Sequence, residues 1–303
     1  MNRPTDSVLI VNTKSRRGKD LFSTAKSILE AEGVKFVDAW ASSRPEEVMR
    51  KTREAIGQGI PLVIVGGGDG TLSSVVRWFI GSGSTLGVLP LGTGNEFVRD
   101  LGISPDVKRA CHVLISGRLA EVDVGRVEDS YFLNVATVGL TTLIAQGLRS
   151  DVKRRFGRLA YMFALARSLT RARPFRATLT VPDGSHSFET LQVVVGNGRY
   201  HAGPFPIAPN ATITDGSLTA YAVATTNRWD LLRFALHLPG GRHVNLDDVP
   251  AFNATTIKLE TTPPQRVVTD GEIKYRTPIL FGVTKGGLRV MVPPESPVLS
   301  NNP

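Results

Sequence analysis

Two stretches of this 303-residue chain place glycines where backbone, rather than side chains, can meet a ligand. In VGGGDGTL (Val65–Leu72), a strand-like run ends in three glycines, followed by Asp69, Gly70 and Thr71 at an expected helix start. Missing side chains let N–H groups such as those of Gly67 and Gly68 approach a phosphate, and a helix's first turn points its N–H groups at an anion. A carboxylate beside a bound phosphate is unfavourable unless a cation lies between them, so Asp69 points to Mg²⁺, held directly or through water. The competing reading is a tight strand-to-helix turn with Asp69 as an N-cap. LPLGTGNEF (Leu89–Phe97) repeats the arrangement after the next strand, where Gly92, Thr93, Gly94 and Asn95 offer a second amide-lined turn with two polar side chains. Glycine turns on adjacent strands fall at one carboxyl edge of a sheet, where such folds bind ligands. A third turn, Asn12–Gly18, could close over a nucleotide's phosphates, although alone it reads as a charged surface turn. Neither a Walker loop nor G-x-G-x-x-G occurs.

The elements that must hold these turns follow from the hydrophobic pattern. Val8–Asn12, Val34–Ala39, Leu62–Val65 and Leu86–Pro90 read as strands. A helix near Lys19–Glu32 carries Leu21, Phe22, Ala25, Ile28 and Leu29 on one side, and others begin near Pro45, at Thr71 and after LGTGNEF. Pro45 suits a first helical turn, and Glu46 and Glu47 favour its positive end. Strand, glycine turn and helix in repetition predict an α/β N-terminal domain with a mostly parallel sheet, over 1–122. After Glu121 alternating runs take over: Tyr131–Thr137, Ala177–Val181, Thr190–Val195, Ser217–Ala224, Thr256–Glu260, Arg266–Val268, Leu280–Val283 and Leu288–Val292. They predict a β-rich, sandwich-like domain over 123–292, with helices inserted around 139–172 and 227–238 and a cleft facing the first domain. The Pro-rich end, 293–303, is expected to be mobile or to pack back on the first domain.

Composition narrows the classes. The chain is ordinarily globular, at 41% apolar and 21% charged residues. One cysteine, Cys111, excludes an intrachain disulfide framework and a cysteine metal cluster. The N-terminal residues lack the features of a signal peptide, and the longest apolar run, Leu159–Ala166, is far shorter than a membrane span. Five histidines form no H-E-x-x-H, and no G-x-S-x-G occurs, so zinc-enzyme and hydrolase readings lack support. Between Gln146 and Arg176 nine basic residues and one acidic residue give +8 of the net +9. Such a segment suits nucleic acid, anionic lipid headgroups or a phosphate-bearing substrate, and the membrane reading stands even with that of a buried helix with solvated basic ends.

The motifs GGGDGT (Gly66–Thr71), GTGNEF (Gly92–Phe97), VDVG (Val122–Gly125), YFLNVATVG (Tyr131–Gly139), GNGRYHAG (Gly196–Gly203), IAPNATITDGSL (Ile207–Leu218) and TDGE (Thr269–Glu272) occur in this order. Together they resemble the catalytic family of diacylglycerol and sphingosine kinases, particularly its stand-alone bacterial lipid kinases. The resemblance covers nearly the whole chain. It implies an ATP-dependent kinase that phosphorylates a hydroxyl of a diacylglycerol-like or related amphiphile. By it, Asn12, Ser15, Ser42, Gly67–Thr71 and Thr93 would bind ATP, and Asp215 with the carbonyls of Thr212 and Ser217 would hold a structural Mg²⁺. Asp270 and Glu272 match the motif whose carboxylates deprotonate the lipid hydroxyl, and Asp123 would face the cleft and orient that hydroxyl. The sphingosine branch would give Asp69 the base role, so Asp69, Asp270 and Glu272 stand as rivals. Departures are NTKSRRG where the family has NPxSG, Glu96 in place of aspartate, and Ala202-Gly203-Pro204 in place of a glycine triplet.

The mechanism expected is in-line phosphoryl transfer: loop amides and Mg²⁺ neutralise the triphosphate while a carboxylate takes the acceptor's proton. An NAD kinase-like enzyme shares the GGDGT turn and is one alternative. The other is a catalytically decayed lipid- or nucleic-acid-binding protein, although no nucleic-acid motif accompanies the basic segment. The expected location is cytoplasmic, with 146–176 a candidate for peripheral contact with the inner membrane face. The acceptor and the oligomeric state, a homodimer included, stay open.

Overall fold

The computed structural model describes residues 6–14, 18–140, 173–201, 205–206, 212–224 and 249–300. Ser15, most of 146–176, and the helices expected at 227–238 and over nearly all of 139–172 lie outside them.

In the first half strands and helices alternate: β1 (Ser7–Asn12), α1 (Gly18–Ala31), β2 (Phe36–Ser42), α2 (Pro45–Gly57), β3 (Leu62–Gly67), α3 (Asp69–Phe79), β4 (Thr85–Pro90), α4 (Glu96–Asp100) and α5 (Val107–Ser116). Strands dominate the rest: β5 (Arg118–Val127), β6 (Ser130–Phe132), β7 (Val135–Gly139), β8 (Phe175–Val181), β9 (Gly184–Thr190), β10 (Gln192–Gly196), β11 (Tyr200–His201) and β12 (Phe205–Pro206). They continue with β13 (Leu218–Ala222), β14 (Ala251–Ala254), β15 (Thr256–Thr262), β16 (Arg266–Thr269), β17 (Glu272–Arg276) and β18 (Ile279–Val292).

The parallel strands run in the order β2-β1-β3-β4, and β3 is buried from end to end, as a strand covered on both faces must be. α1 packs beside α5 and α2 beside α3 to cover them. The sheet continues through β18 into antiparallel β15, β8 and β9, and a second sheet runs β14-β13-β10-β7-β16-β17. Between the two sheets lies the second core, with Phe132 edge-on to Phe281, their ring centroids 6.3 Å apart. The predicted architecture, an α/β half joined to a β sandwich, is the one observed.

Three details differ from expectation. Val34 lies in the turn that closes α1, because Gly33 takes φ +83° and the Val34 N–H donates to Leu29 O at 2.9 Å, so β2 begins at Phe36. The runs Leu280–Val283 and Leu288–Val292 are one strand, β18, with an irregularity between Thr284 and Leu288 where it pairs with β5. Both β5 and β18 pass through both cores: Val122, Val124, Leu288 and Val290 lie in the first, Val127 and Phe281 in the second. A clean division at 122/123 is therefore replaced by two shared strands. Of the two alternatives for 293–303, the described residues 293–300 follow the second and pack back on the first core, with Val298 buried in it and Ser296 Oγ donating to Leu101 O at 2.7 Å.

Candidate active site

β1, β3 and β4 deliver their carboxyl ends to one edge of the sheet. There Asn12 Nδ2 donates to Thr71 Oγ1 at 3.0 Å, and Lys14 N donates to Asn12 Oδ1 at 3.0 Å, tying the exit of β1 to the first turn of α3. The two glycine turns interlock. A Cβ on Gly92 would lie 2.6 Å from Gly68 Cα, and one on Gly67 would lie 2.5 Å from the Thr71 side chain. Glycine at these positions is demanded by the protein's own packing. At Gly70, exposed in the first turn of α3, a Cβ would meet nothing within 4 Å. First-turn N–H groups of a helix favour an anion, and Asn12 and Thr71 border this open position.

The polar side chains of the second turn are used differently. Asn95, buried and with φ +49°, closes its own loop: Gly92 N donates to Oδ1 and Nδ2 donates to Gly92 O, both at 3.0 Å. Thr93 is exposed at its tip. Ser42 donates to Glu47 Oε2 at 2.5 Å and accepts from Arg44 N at 3.1 Å, so its hydroxyl is engaged at the start of α2, which argues against a nucleotide contact.

Asp69 is the first residue of α3, and its carboxylate reaches across to α4, where Oδ1 accepts the N–H groups of Glu96 at 2.7 Å and Phe97 at 3.3 Å. It therefore caps the neighbouring helix, which corrects the reading of Asp69 as the cap of its own. Burial pushes its carboxyl above the ordinary range, the Glu96 and Phe97 amides pull it back, and the charge of Asp270 raises it further.

That last effect is the repulsion of a nearby carboxylate, Asp270. Asp270 (φ +46°) and Gly271 (φ +86°) form the two-residue turn between β16 and β17, the conformation that Asp-Gly favours in a hairpin. Four donors hold its carboxylate: Ser73 Oγ at 2.6 Å and Leu133 N at 2.8 Å on Oδ2, Asn134 N at 3.0 Å and Val135 N at 3.1 Å on Oδ1. Ser73 comes from α3, so this carboxylate joins the first core to the second. Glu272 points away into solvent, 61% exposed and paired with Lys274 at 2.9 Å.

A second group forms around Asp123. The expectation that it faces the cleft needs correction: it is 2% exposed, and its oxygens accept Gly216 N at 2.6 Å and Gly286 N at 2.8 Å. The irregularity in β18 supplies the Gly286 amide. Burial raises the Asp123 carboxyl, the two amides lower it, Asp215 raises it and Lys285 lowers it. Asp215, exposed, accepts Ser217 N at 2.9 Å and Ser217 Oγ at 2.8 Å on Oδ1, and Thr212 N at 3.3 Å on Oδ2. Among the described residues no three His, Cys, Asp or Glu side chains cluster as metal ligands. The Asp215 turn nevertheless offers one carboxylate, a hydroxyl and main-chain carbonyls, oxygen donors of the kind a hard cation takes.

Ser73, Asn197 and Asp100 were missed from the sequence. Ser73 had a signal, because it lies four residues after Asp69 and so shares its face of α3. Asn197 Nδ2 donates to Asp123 O and Leu133 O, each at 3.0 Å, bridging the two groups.

The family model described as diacylglycerol kinase catalytic domain matches residues 6–127, and that described as YegS C-terminal NAD kinase beta sandwich-like domain matches 135–292. A diacylglycerol kinase of Mycobacterium tuberculosis is 30% identical over 246 residues, 79% of each chain. A diacylglycerol kinase of Bacillus subtilis is 28% identical over 80% of this chain and 81% of its own. The crystal structure of a diacylglycerol kinase from Bacillus anthracis shares the fold at TM-score 0.77 and 24% identity, covering 97% of this chain and 99% of that one. With both models matched in order and the Mycobacterium tuberculosis relative aligned across most of its length, the chain belongs to the diacylglycerol kinase catalytic-domain family and is a lipid kinase.

Proposed function

We propose that the chain transfers the γ-phosphoryl group of ATP to a hydroxyl of a diacylglycerol-like lipid, with the phosphates at the open face of Gly70. The observation that carries this reading is that Ser73 of α3 donates to the Asp270 carboxylate and so holds it against the helix whose first turn Asn12 and Thr71 border. First-turn amides of α3, Asn12 and Thr71 would bind the phosphates, with Thr93 and, on the family resemblance, Ser15 contributing further contacts. Asp69 ties the start of α4, and with it the GTGN turn, to α3.

The acceptor's proton would go to Asp270 Oδ2. Of the four donors on that carboxylate, Ser73 supplies the one side-chain hydroxyl, which can rotate away and leave its place to the lipid hydroxyl. Glu272, solvent-facing, supplies charge at the rim. A Mg²⁺ would be held by Asp215 with carbonyls of Thr212 and Ser217, and Asp123, behind it, fixes that turn through Gly216. Bound there it would supply positive charge that offsets the repulsion between Asp215 and Asp123.

Residues 146–176 would dock on an anionic leaflet. Among the described residues no helix is long and apolar enough to cross a membrane. Sedimentation with anionic vesicles, reversed by salt, tests this docking. For the reaction, labelled ATP is incubated with total lipid extract and the product identified by mass spectrometry. Asp270→Asn is expected to abolish turnover with ATP affinity unchanged, and full activity in that variant removes Asp270 as the base.

A further inference from the structure

Asp100 ends α4, the helix whose first amides Asp69 holds. It is 8% exposed and faces the turn after β10, where Arg199 N donates to Oδ1 at 3.2 Å. Among the described residues Oδ2, buried, has no hydrogen-bond partner, and the turn lies so close that a Cβ on Gly198 would sit 2.2 Å from it. Asn134 Oδ1 and Asn197 Oδ1 are also buried without partners among the described residues. A buried carboxyl left half-paired at a joint between two cores is costly to the fold, and such groups are kept where position matters.

The joint completes a circuit. From Asp69 the path runs through α4 to Asp100, across to Arg199, and along the turn to Asn197, which donates to Leu133 O at 3.0 Å. Leu133 N donates to Asp270 at 2.8 Å, and Asp270 returns to α3 through Ser73 at 2.6 Å. We propose that Asp100 is a positioning residue that couples the glycine turns to the Asn197–Tyr200 turn, so that order imposed by a nucleotide reaches the segment holding Asp270. This rests on the phosphates lying at Gly70.

The burial that leaves Oδ2 unpaired also pushes the carboxyl up to about 7, with the Arg199 amide and charge and the Tyr200 amide opposing. Conservative replacement by asparagine keeps an acceptor for Arg199 N, whereas alanine removes it.

Amide exchange across 196–200 is measured in the wild type and in Asp100→Ala, each with and without a non-hydrolysable ATP analogue and Mg²⁺, and analogue affinity is measured by calorimetry. In the wild type the analogue is expected to slow exchange at Arg199 by about fivefold or more. In Asp100→Ala that slowing disappears while affinity stays within about twofold, and Asp100→Asn keeps most of it. Exchange at Arg199 that ignores the bound analogue in the wild type, or slows equally in Asp100→Ala, overturns the proposal. Should Asp100→Ala fail to fold, the wild-type measurement decides alone. A wild type that binds no analogue at all fails the nucleotide assignment rather than this coupling.

Discussion

Gly70→Ala separates what glycine does for the fold from what it does for a ligand. Gly70 is the second residue of α3, its φ is not in the left-handed region, and a Cβ there meets no protein atom within 4 Å. Alanine should therefore stabilise the helix by about 0.5–1 kcal/mol, raising Tm by about 1–3 °C. If phosphates occupy the open face, the same methyl group stands between them and the first-turn amides. Loss of one hydrogen bond to a charged oxygen is worth about 1.5–3 kcal/mol, or roughly 10- to 150-fold in Kd for ATP. Thermal unfolding and calorimetric titration read the two effects independently. Gly92→Ala is the control: its Cβ would lie 2.6 Å from Gly68 Cα and 2.7 Å from Asn95 Oδ1, so the turns must part at a cost of about 1–3 kcal/mol, and stability and affinity should fall together. A Gly70→Ala protein that is more stable and binds ATP as the wild type does would show that the phosphates lie elsewhere.

Asp100 is predicted to make stability depend on pH. Its folded value of about 7 against 3.8 means the folded state holds the proton more tightly, so its stabilisation is complete below about 4 and is lost as pH rises through 7. Between pH 5 and 8, denaturant melts should show Asp100→Asn gaining about 2–3 kcal/mol on the wild type, and parallel profiles would rule this out. Asp123→Ala strands the Gly216 and Gly286 amides and should cost about 2–5 kcal/mol in the same assay, whereas a neutral result would mean those bonds do not form. Ser73→Ala should leave ATP affinity unchanged and lower the acceptor KM by roughly fivefold, because the lipid hydroxyl no longer displaces a hydrogen bond of about 1 kcal/mol. A raised acceptor KM would mean instead that Ser73 helps to hold the lipid.

The parallel half of the fold was legible because its strands are continuous apolar runs and its turns are punctuated by glycine. Leu62–Val65 and Leu86–Pro90 lie inside the observed strands. The sandwich was legible as a class, but β5, β9, β14 and β17 were not all foreseen. β17, Glu-Ile-Lys-Tyr-Arg, is an edge strand whose outward charges hide its alternation, and β9 is half-exposed with polar residues on its outer face. The sharing of β5 and β18 between two cores had no local signature, since Val122 and Val127 differ only in which sheet lies opposite.

The candidate site shows why residue identity was easier to read than role. Asp69, Asp123 and Asp270 stand out in the sequence, yet each is fixed by main-chain N–H groups: Glu96 and Phe97, Gly216 and Gly286, Leu133 to Val135. An amide leaves no mark in sequence, since every residue but proline carries one. What decides the partner is the path of the backbone, such as the irregularity that turns Gly286 toward Asp123. That is why Asp123 looked like a cleft residue and proved to be a buried anchor, and why the interlocked glycines looked like a phosphate cradle although only Gly70 lies open. The same reasoning explains the visibility of Asp270: a two-residue Asp-Gly turn specifies its own geometry locally, and four donors then aim its carboxylate from α3 and the β7 entry.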